Sequence, residues 1–136
     1  MVNKLKPLTQ YIKDLSFENY AAQKNEFEPS KLDVNLDLNI KKQQLNGNLI
    51  EITILVFLEA KKFEKKKFII ELSYASTFLI EKTISAQDKK RFSFVDCPSI
   101  MFPFIRQIIF NISRDSGFLP INLDYINFHE LFHSQK

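Results

Sequence analysis

Leu32, Val34, Leu36, Leu38 and Ile40 alternate strictly with Asp33, Asn35, Asp37 and Asn39. A period of two sends one side chain to a core and the next to water, so a half-buried antiparallel strand is expected here. Asn46-Gly47 follows, a dipeptide that readily takes the two positive φ values of a hairpin turn. A second strand is expected over 49–60, with Ile50, Ile52, Ile54, Val56 and Leu58 on one side. Leu55 and Phe57 make its other face partly apolar, so both sides are expected to be covered in places. A lysine-rich turn then leads to a strand over 68–80. An earlier strand, over 9–18, sets Tyr11, Leu15 and Phe17 on one face and Ile12, Asp14, Ser16 and Glu18 on the other. The charged stretch 21–29 is expected to cross over between the first two strands.

Past residue 80 the period changes. Ser85-Ala-Gln-Asp88 fits a capped helix start, with an oxygen at the cap and an acid three residues on. The main helix follows Cys97 and carries its polar residues (Arg106, Gln107, Asn111, Arg114) on one side, leaving well over half its circumference apolar. A surface helix needs an apolar stripe of only about 100°. One small sheet cannot cover the rest, so the second face is expected to pack on another copy of the chain. Pro98 suits a first helical position, whereas Pro103 would clash with the carbonyl four residues earlier. The regular helix therefore starts near Phe102 or kinks there. Gly117 is a natural stop, and a short amphipathic turn over 127–133 ends the chain. The fold class expected is α+β: a four-stranded antiparallel sheet, then a long interface helix and short helices.

The 136 residues suit a single domain, 1–136. A lone cysteine excludes an intramolecular disulfide framework and fits a reducing compartment. The first ten residues lack the apolar stretch of a signal peptide, and no window approaches the roughly 20 apolar residues of a membrane span. A cytoplasmic protein without membrane insertion is expected. Net charge is +3, and the one dense basic run is Lys61-Lys62-Phe63-Glu64-Lys65-Lys66-Lys67. Lying between two strands and not repeated, it reads as a solvated hairpin turn whose lysines discourage edge-to-edge pairing, not as a nucleic-acid patch.

Few constellations carry chemistry. His129-Glu130-Leu131-Phe132-His133 matches the H-E-x-x-H zinc-protease pattern, which needs a third protein ligand and a cleft. The chain has no other histidine, and only Ser134, Gln135 and Lys136 follow, so no metal site is assigned. Two glycines, Gly47 and Gly117, cannot build a phosphate-cradling loop. Cys97 reads as a small buried apolar residue. No carboxylate pair is marked as an acid–base couple, so neither an enzyme nor a cofactor is expected. Two apolar features remain. Phe27, in the crossover, either plugs the end of the core or lines a groove. Asp14 and Glu18 on the first strand and Ile69 and Glu71 on the fourth lie on one sheet surface, either a solvated face or acids around an apolar docking centre.

Cys97-Pro98, the Ile100-Met-Phe-Pro-Phe104 run and Arg106 resemble the helix signature of the SecB family of protein-export chaperones. Three more blocks agree in order: Tyr11-Ile-Lys-Asp-Leu-Ser-Phe-Glu-Asn19, Ser113-Arg-Asp-Ser-Gly-Phe-Leu-Pro-Ile-Asn-Leu123 and Ile126-Asn-Phe-His-Glu-Leu-Phe132. The resemblance spans about residues 10–132. It implies an ATP-independent chaperone that holds unfolded secretory precursors and delivers them to the SecA translocation motor. It also implies a homotetramer, a dimer of dimers with long helices between two eight-stranded sheets. Phe27-Glu28-Pro29 resembles the aromatic-x-Pro motif of the family's crossover loop, which makes Phe27 a client contact. Met101 and Phe104 join it, since Met and Phe offer area without fixed hydrogen bonds. Asp14, Glu18, Ile69 and Glu71 match the family's docking surface for SecA's basic, zinc-containing C-terminal segment. Phe68, Ile70, Leu72, Tyr74, Ile105 and Ile109 are assigned to the oligomer interface. The chain departs from the family in being mildly basic and in reading Ala75-Ser76 at a turn usually rich in glycine. The other readings are a SecB-like chaperone dedicated to a different client, such as an antitoxin, and an oligomeric adaptor without chaperone activity.

Overall fold

In the computed structural model, which describes residues 5–134, four long strands form one antiparallel sheet. In chain order the elements are β1 (Leu5–Asn19), α1 (Tyr20–Lys24), β2 (Asp33–Gln44), β3 (Leu49–Lys62), β4 (Lys65–Ile80), α2 (Ala86–Arg91), α3 (Cys97–Asp115) and α4 (Phe128–Ser134). A π-helical turn, Phe92–Asp96, joins α2 to α3. The spatial order β1-β4-β3-β2 makes β1 and β2 the edges, so the chain crosses the full width of the sheet between them.

Alternation in β3 and β4 decides the core. Ile54 faces Tyr74, Val56 faces Leu72, Leu58 faces Ile70 and Ala60 faces Phe68, all on the side where α3 packs and all buried. From α3 come Met101, Phe102, Ile105 and Ile109, and Phe128 of α4 meets Phe102 edge to face at 5.6 Å. The opposite face of β3 carries Glu51, Thr53, Leu55, Phe57 and Glu59. Leu55 and Phe57 remain half-buried there.

Three details differ from the period-two and turn expectations. In β1, Ile12 pairs with Tyr74 but Asp14 pairs with the next residue, Ser73, so Lys13 is an extra residue in a β-bulge. The bulge reverses the faces: Leu15 and Phe17 point to the helix side, while Tyr11 points to the outer side. There its hydroxyl donates to the Glu51 carboxylate, which also receives Lys13 Nζ at 2.9 Å. Burial, then this bond, pushes the Tyr11 phenol up to about 12, and the same bond holds Glu51 below its ordinary value. In the β2–β3 hairpin only Gly47 has a positive φ, 65°, and Leu49 N–H donates to the Asn46 carbonyl at 3.3 Å. Gly47 thus takes the first central position, as in a type II′ turn. The β3–β4 hairpin holds the two positive φ values instead, at Phe63 (53°) and Glu64 (66°).

Helix α3 runs unbroken through Pro103 and starts at Cys97, well before Phe102. Pro98 sits in the first turn of α3, directly after the π-helical turn, and Pro103 lies on the exposed side. Ser85 caps α2 as expected, its hydroxyl accepting from Asp88 N–H at 3.1 Å. Ala75-Ser76 is a buried stretch of β4 and forms no turn.

Candidate functional site

The start of an edge strand and an extended segment outside regular structure face each other across a groove of about 860 Å³. One wall is the crossover's end and the start of β2, with Leu32, Val34 and Leu36; the other is the extended stretch after α3, with Leu119, Ile121 and Tyr125. Ser113 fixes the second wall. Buried on α3, its hydroxyl donates to the Ile109 carbonyl at 2.9 Å and accepts from Ile121 N–H at 2.9 Å. Its own carbonyl accepts from Phe118 N–H at 3.2 Å. The chain can fold back this sharply because Gly117 adopts φ 94°, which a side chain would oppose.

Phe27 stands where the two walls begin. Its ring packs against Phe118 with centroids 6.1 Å apart and covers Gly117 closely: a Cβ on Gly117 would sit 2.7 Å from Phe27 Cε1. Phe118 rests in turn on Phe68, centroids 4.8 Å apart, so an aromatic stack rises from the sheet to the crossover. Phe27 nonetheless keeps 48% of its surface exposed, and Tyr125 on the facing segment keeps 78%. Phe27 therefore is a surface aromatic on a core stack and not a core plug. Arg106 reaches over from α3 and donates to Asn122 Oδ1 at 3.2 Å, while its Nε is buried without a partner.

The outer sheet face is the second surface. Glu18 pairs across from Ile69, Ser16 from Glu71 and Asp14 from Ser73, so Asp14, Glu18, Ile69 and Glu71 lie on one patch. A shallow cavity of about 310 Å³ there is lined from all four strands, including Asp14, Asp37, Leu55, Phe57 and Glu71. The patch is acidic at its rim and apolar at its centre.

Several assignments change. Met101 is fully buried beneath α3 and cannot touch a client. Phe104 is 47% exposed, but it lies about three turns before the end of α3 that meets Phe27, so the two do not share a groove. Phe68, Ile70, Leu72, Tyr74, Ile105 and Ile109 are all buried within the chain, between its own sheet and helix, and offer no surface to another copy. On α3, Ile100 and Phe104 are exposed, and Ile108 and Ile112, which continue the same face at a spacing of four, are half-buried against the core. On edge strand β1, Ile12 and Leu15 point to the helix side and stay exposed. Sequence reasoning missed the groove walls and Ser113. Their signal was present: an apolar alternation over 118–126 among Pro, Asn and Asp, and a serine placed on the core stripe four residues before Gly117.

No helix among the described residues is long and apolar enough to cross a membrane. Burial pushes the Cys97 thiol well above its ordinary value, so it is not a nucleophile. On α4, His129 and His133 converge, but no third His, Cys, Asp or Glu among the described residues completes a metal-holding group.

The family model described as preprotein translocase subunit SecB matches residues 2–136. The chain belongs to the SecB family. The protein-export protein SecB of Orientia tsutsugamushi strain Boryong is 42% identical over 125 residues, covering 90% of this chain and 77% of that protein. The SecB of Dinoroseobacter shibae is 35% identical over 134 residues, covering 96% of this chain and 77% of that one. Among solved structures, the SecB-like chaperone of Mycobacterium tuberculosis, in complex with a ChAD peptide from the HigA1 antitoxin, superposes with a TM-score of 0.77. It covers 90% of this chain and 91% of its own at 9% identity, which establishes the shared fold. Membership of the SecB family assigns the chain a chaperone role in preprotein export. The sheet-then-helix order expected from the alternation is the family's fold.

Proposed function

We propose that this SecB-family chain is an ATP-independent holdase of the cytoplasm, without catalytic activity or cofactor, that keeps precursors unfolded and passes them to SecA. The observation that carries the holding step is the groove between β2 and the 119–126 segment, with the half-exposed Phe27 packed on Phe118 just before that segment. Its walls, an edge strand and an extended segment, are mostly apolar side chains, which suits extended, apolar client segments without demanding a sequence. Each segment binds weakly, and several on one scaffold raise the effective affinity by orders of magnitude. The scaffold is a homotetramer, a dimer of dimers. Supporting it are the face of α3 that bears the exposed Ile100 and Phe104 and the half-buried Ile108 and Ile112, and the exposed Ile12 and Leu15 on β1, an apolar surface that a second copy would cover. In a refolding assay with a slow-folding precursor, Phe27→Asp is expected to weaken client binding about tenfold or more, since a carboxylate entering an apolar contact loses ~1–3 kcal/mol. A variant that stays tetrameric and holds clients as the parent does would remove Phe27 from the groove.

Delivery is assigned to the outer sheet face. Its acids, Asp14, Glu18 and Glu71, surround Ile69 and Phe57 and suit a short basic segment of SecA. Asp14→Lys with Glu71→Lys is expected to lower SecA affinity by at least tenfold while client holding persists, and added salt should weaken the parent interaction. Calorimetry at low salt measures this; equal affinity of parent and double variant would sink the assignment. A dedicated antitoxin client is the second reading, favoured by the peptide bound to the Mycobacterium tuberculosis neighbour. The relatives at 35–42% identity are export proteins, which puts export first.

A further inference from the structure

The two histidines, the only ones in the chain, meet on the exposed side of α4 with Nε2 atoms 3.3 Å apart. Two imidazoles bound to one zinc ion at about 2.0–2.1 Å in tetrahedral geometry have nitrogens roughly 3.3–3.4 Å apart. We propose that His129 and His133 form a two-imidazole site for a divalent transition cation of the zinc, nickel and copper class, with water completing the coordination.

Three observations support the proposal beyond that distance. The pair is held in place from below: Phe128 is buried against Phe102, and Phe132 stacks on Phe94 with rings 9° from parallel and centroids 6.1 Å apart. The backbone positions that carry the two imidazoles are thus set by a packed helix. Both rings are exposed, so a hydrated ion reaches them without unfolding anything. Negative charge is at hand as well, since Asp96 lies close enough to interact electrostatically with His129, and Glu130 follows it in the helix. Arg91 shares Asp96 at 4.0 Å and contacts Asp88 at 3.5 Å, and Lys90 lies over the Phe132 ring. Two protein ligands with open positions cannot perform the protease chemistry that the H-E-x-x-H letters suggest. They can bridge the first and last turns of α4, so the bound ion stabilises that short helix.

The experiment titrates zinc, nickel and magnesium chlorides into the untagged full chain, reading calorimetric heat, melting temperature and the two histidine C2-proton NMR signals. Zinc and nickel are expected to bind at one ion per chain, to shift or broaden both imidazole signals together and to raise the melting temperature. Magnesium, a hard cation, should do none of these. His129→Ala and His133→Gln should each weaken zinc binding at least tenfold and abolish the thermal shift while keeping the parent's fold by circular dichroism. Binding that persists in both variants would place the ion elsewhere. Unmoved imidazole signals at 100-fold excess of zinc would leave only a histidine–histidine hydrogen bond. Either result overturns the site.

Discussion

Phe68→Ala should lower unfolding free energy by about 3–5 kcal/mol, the usual cost of emptying a buried phenylalanine site. Phe68 is fully buried and touches two other rings, Phe17 at 5.6 Å and Phe118 at 4.8 Å between centroids. Neither ring can follow it into the space, because Phe17 is fixed on β1 and Phe118 is held by the Ser113 carbonyl. Thermal unfolding at a fixed protomer concentration should show a fall of about 10–20 °C. Phe63→Ala is the matched control. Phe63 is 78% exposed at the β3–β4 hairpin tip, so its loss should move stability by no more than about 0.5 kcal/mol. Equal effects of the two substitutions would mean that the Phe17–Phe68–Phe118 stack does not bear on stability.

Gly117→Ala should damage client holding more than its size suggests. The new methyl group opposes a φ of 94°, at about 1–2 kcal/mol, and lands 2.7 Å from the Phe27 ring. The ring is the free end of a crossover side chain and swings away at little cost. The expected result is a modest loss of stability with roughly tenfold weaker client binding. A double-mutant cycle isolates the cause. In a Phe27→Ala background the Gly117→Ala substitution should leave client affinity unchanged, because there is no ring left to displace. Additive losses would show that Gly117 does not position Phe27.

The strands were legible because 32–40 alternates strictly and because Ile50, Ile52, Ile54, Val56 and Leu58 keep one face of β3 apolar, which reports the face that packs. Alternation failed at β1. Nothing in Ile12-Lys13-Asp14 marks Lys13 as the inserted residue, since a bulge is set by the pairing with β4 and leaves no local pattern. It failed again at the end of β2, where the polar run 41–44 is strand only because Gln44 pairs with Ile50. Helix α1 is five residues long, too short for periodicity, although its caps are readable afterwards: Asn19 Oδ1 accepts from Ala22 N–H at 2.9 Å, and Asn25 takes φ 55°. Met101 was read by its chemistry as a flexible contact. Its spacing with Ile105 and Ile109 placed it on the core stripe all along. The groove walls escaped for a different reason. The alternation over 119–125 marks an apolar face, but where that segment folds back is set by the bond from Ile121 N–H to Ser113, a tertiary contact that no period encodes.

The two hairpins of the sheet close on unequal terms. At Gly47 the β2–β3 turn uses the residue that such turns favour, so local closure on the microsecond scale can bring β2 and β3 together. Between β3 and β4, Phe63 and Glu64 occupy left-handed backbone at about 1–2 kcal/mol each. That pair cannot be nucleated by its turn. It zips only when Ile54 meets Tyr74, Val56 meets Leu72 and Leu58 meets Ile70. The middle of the sheet is therefore held shut by its side chains against the resistance of its own loop.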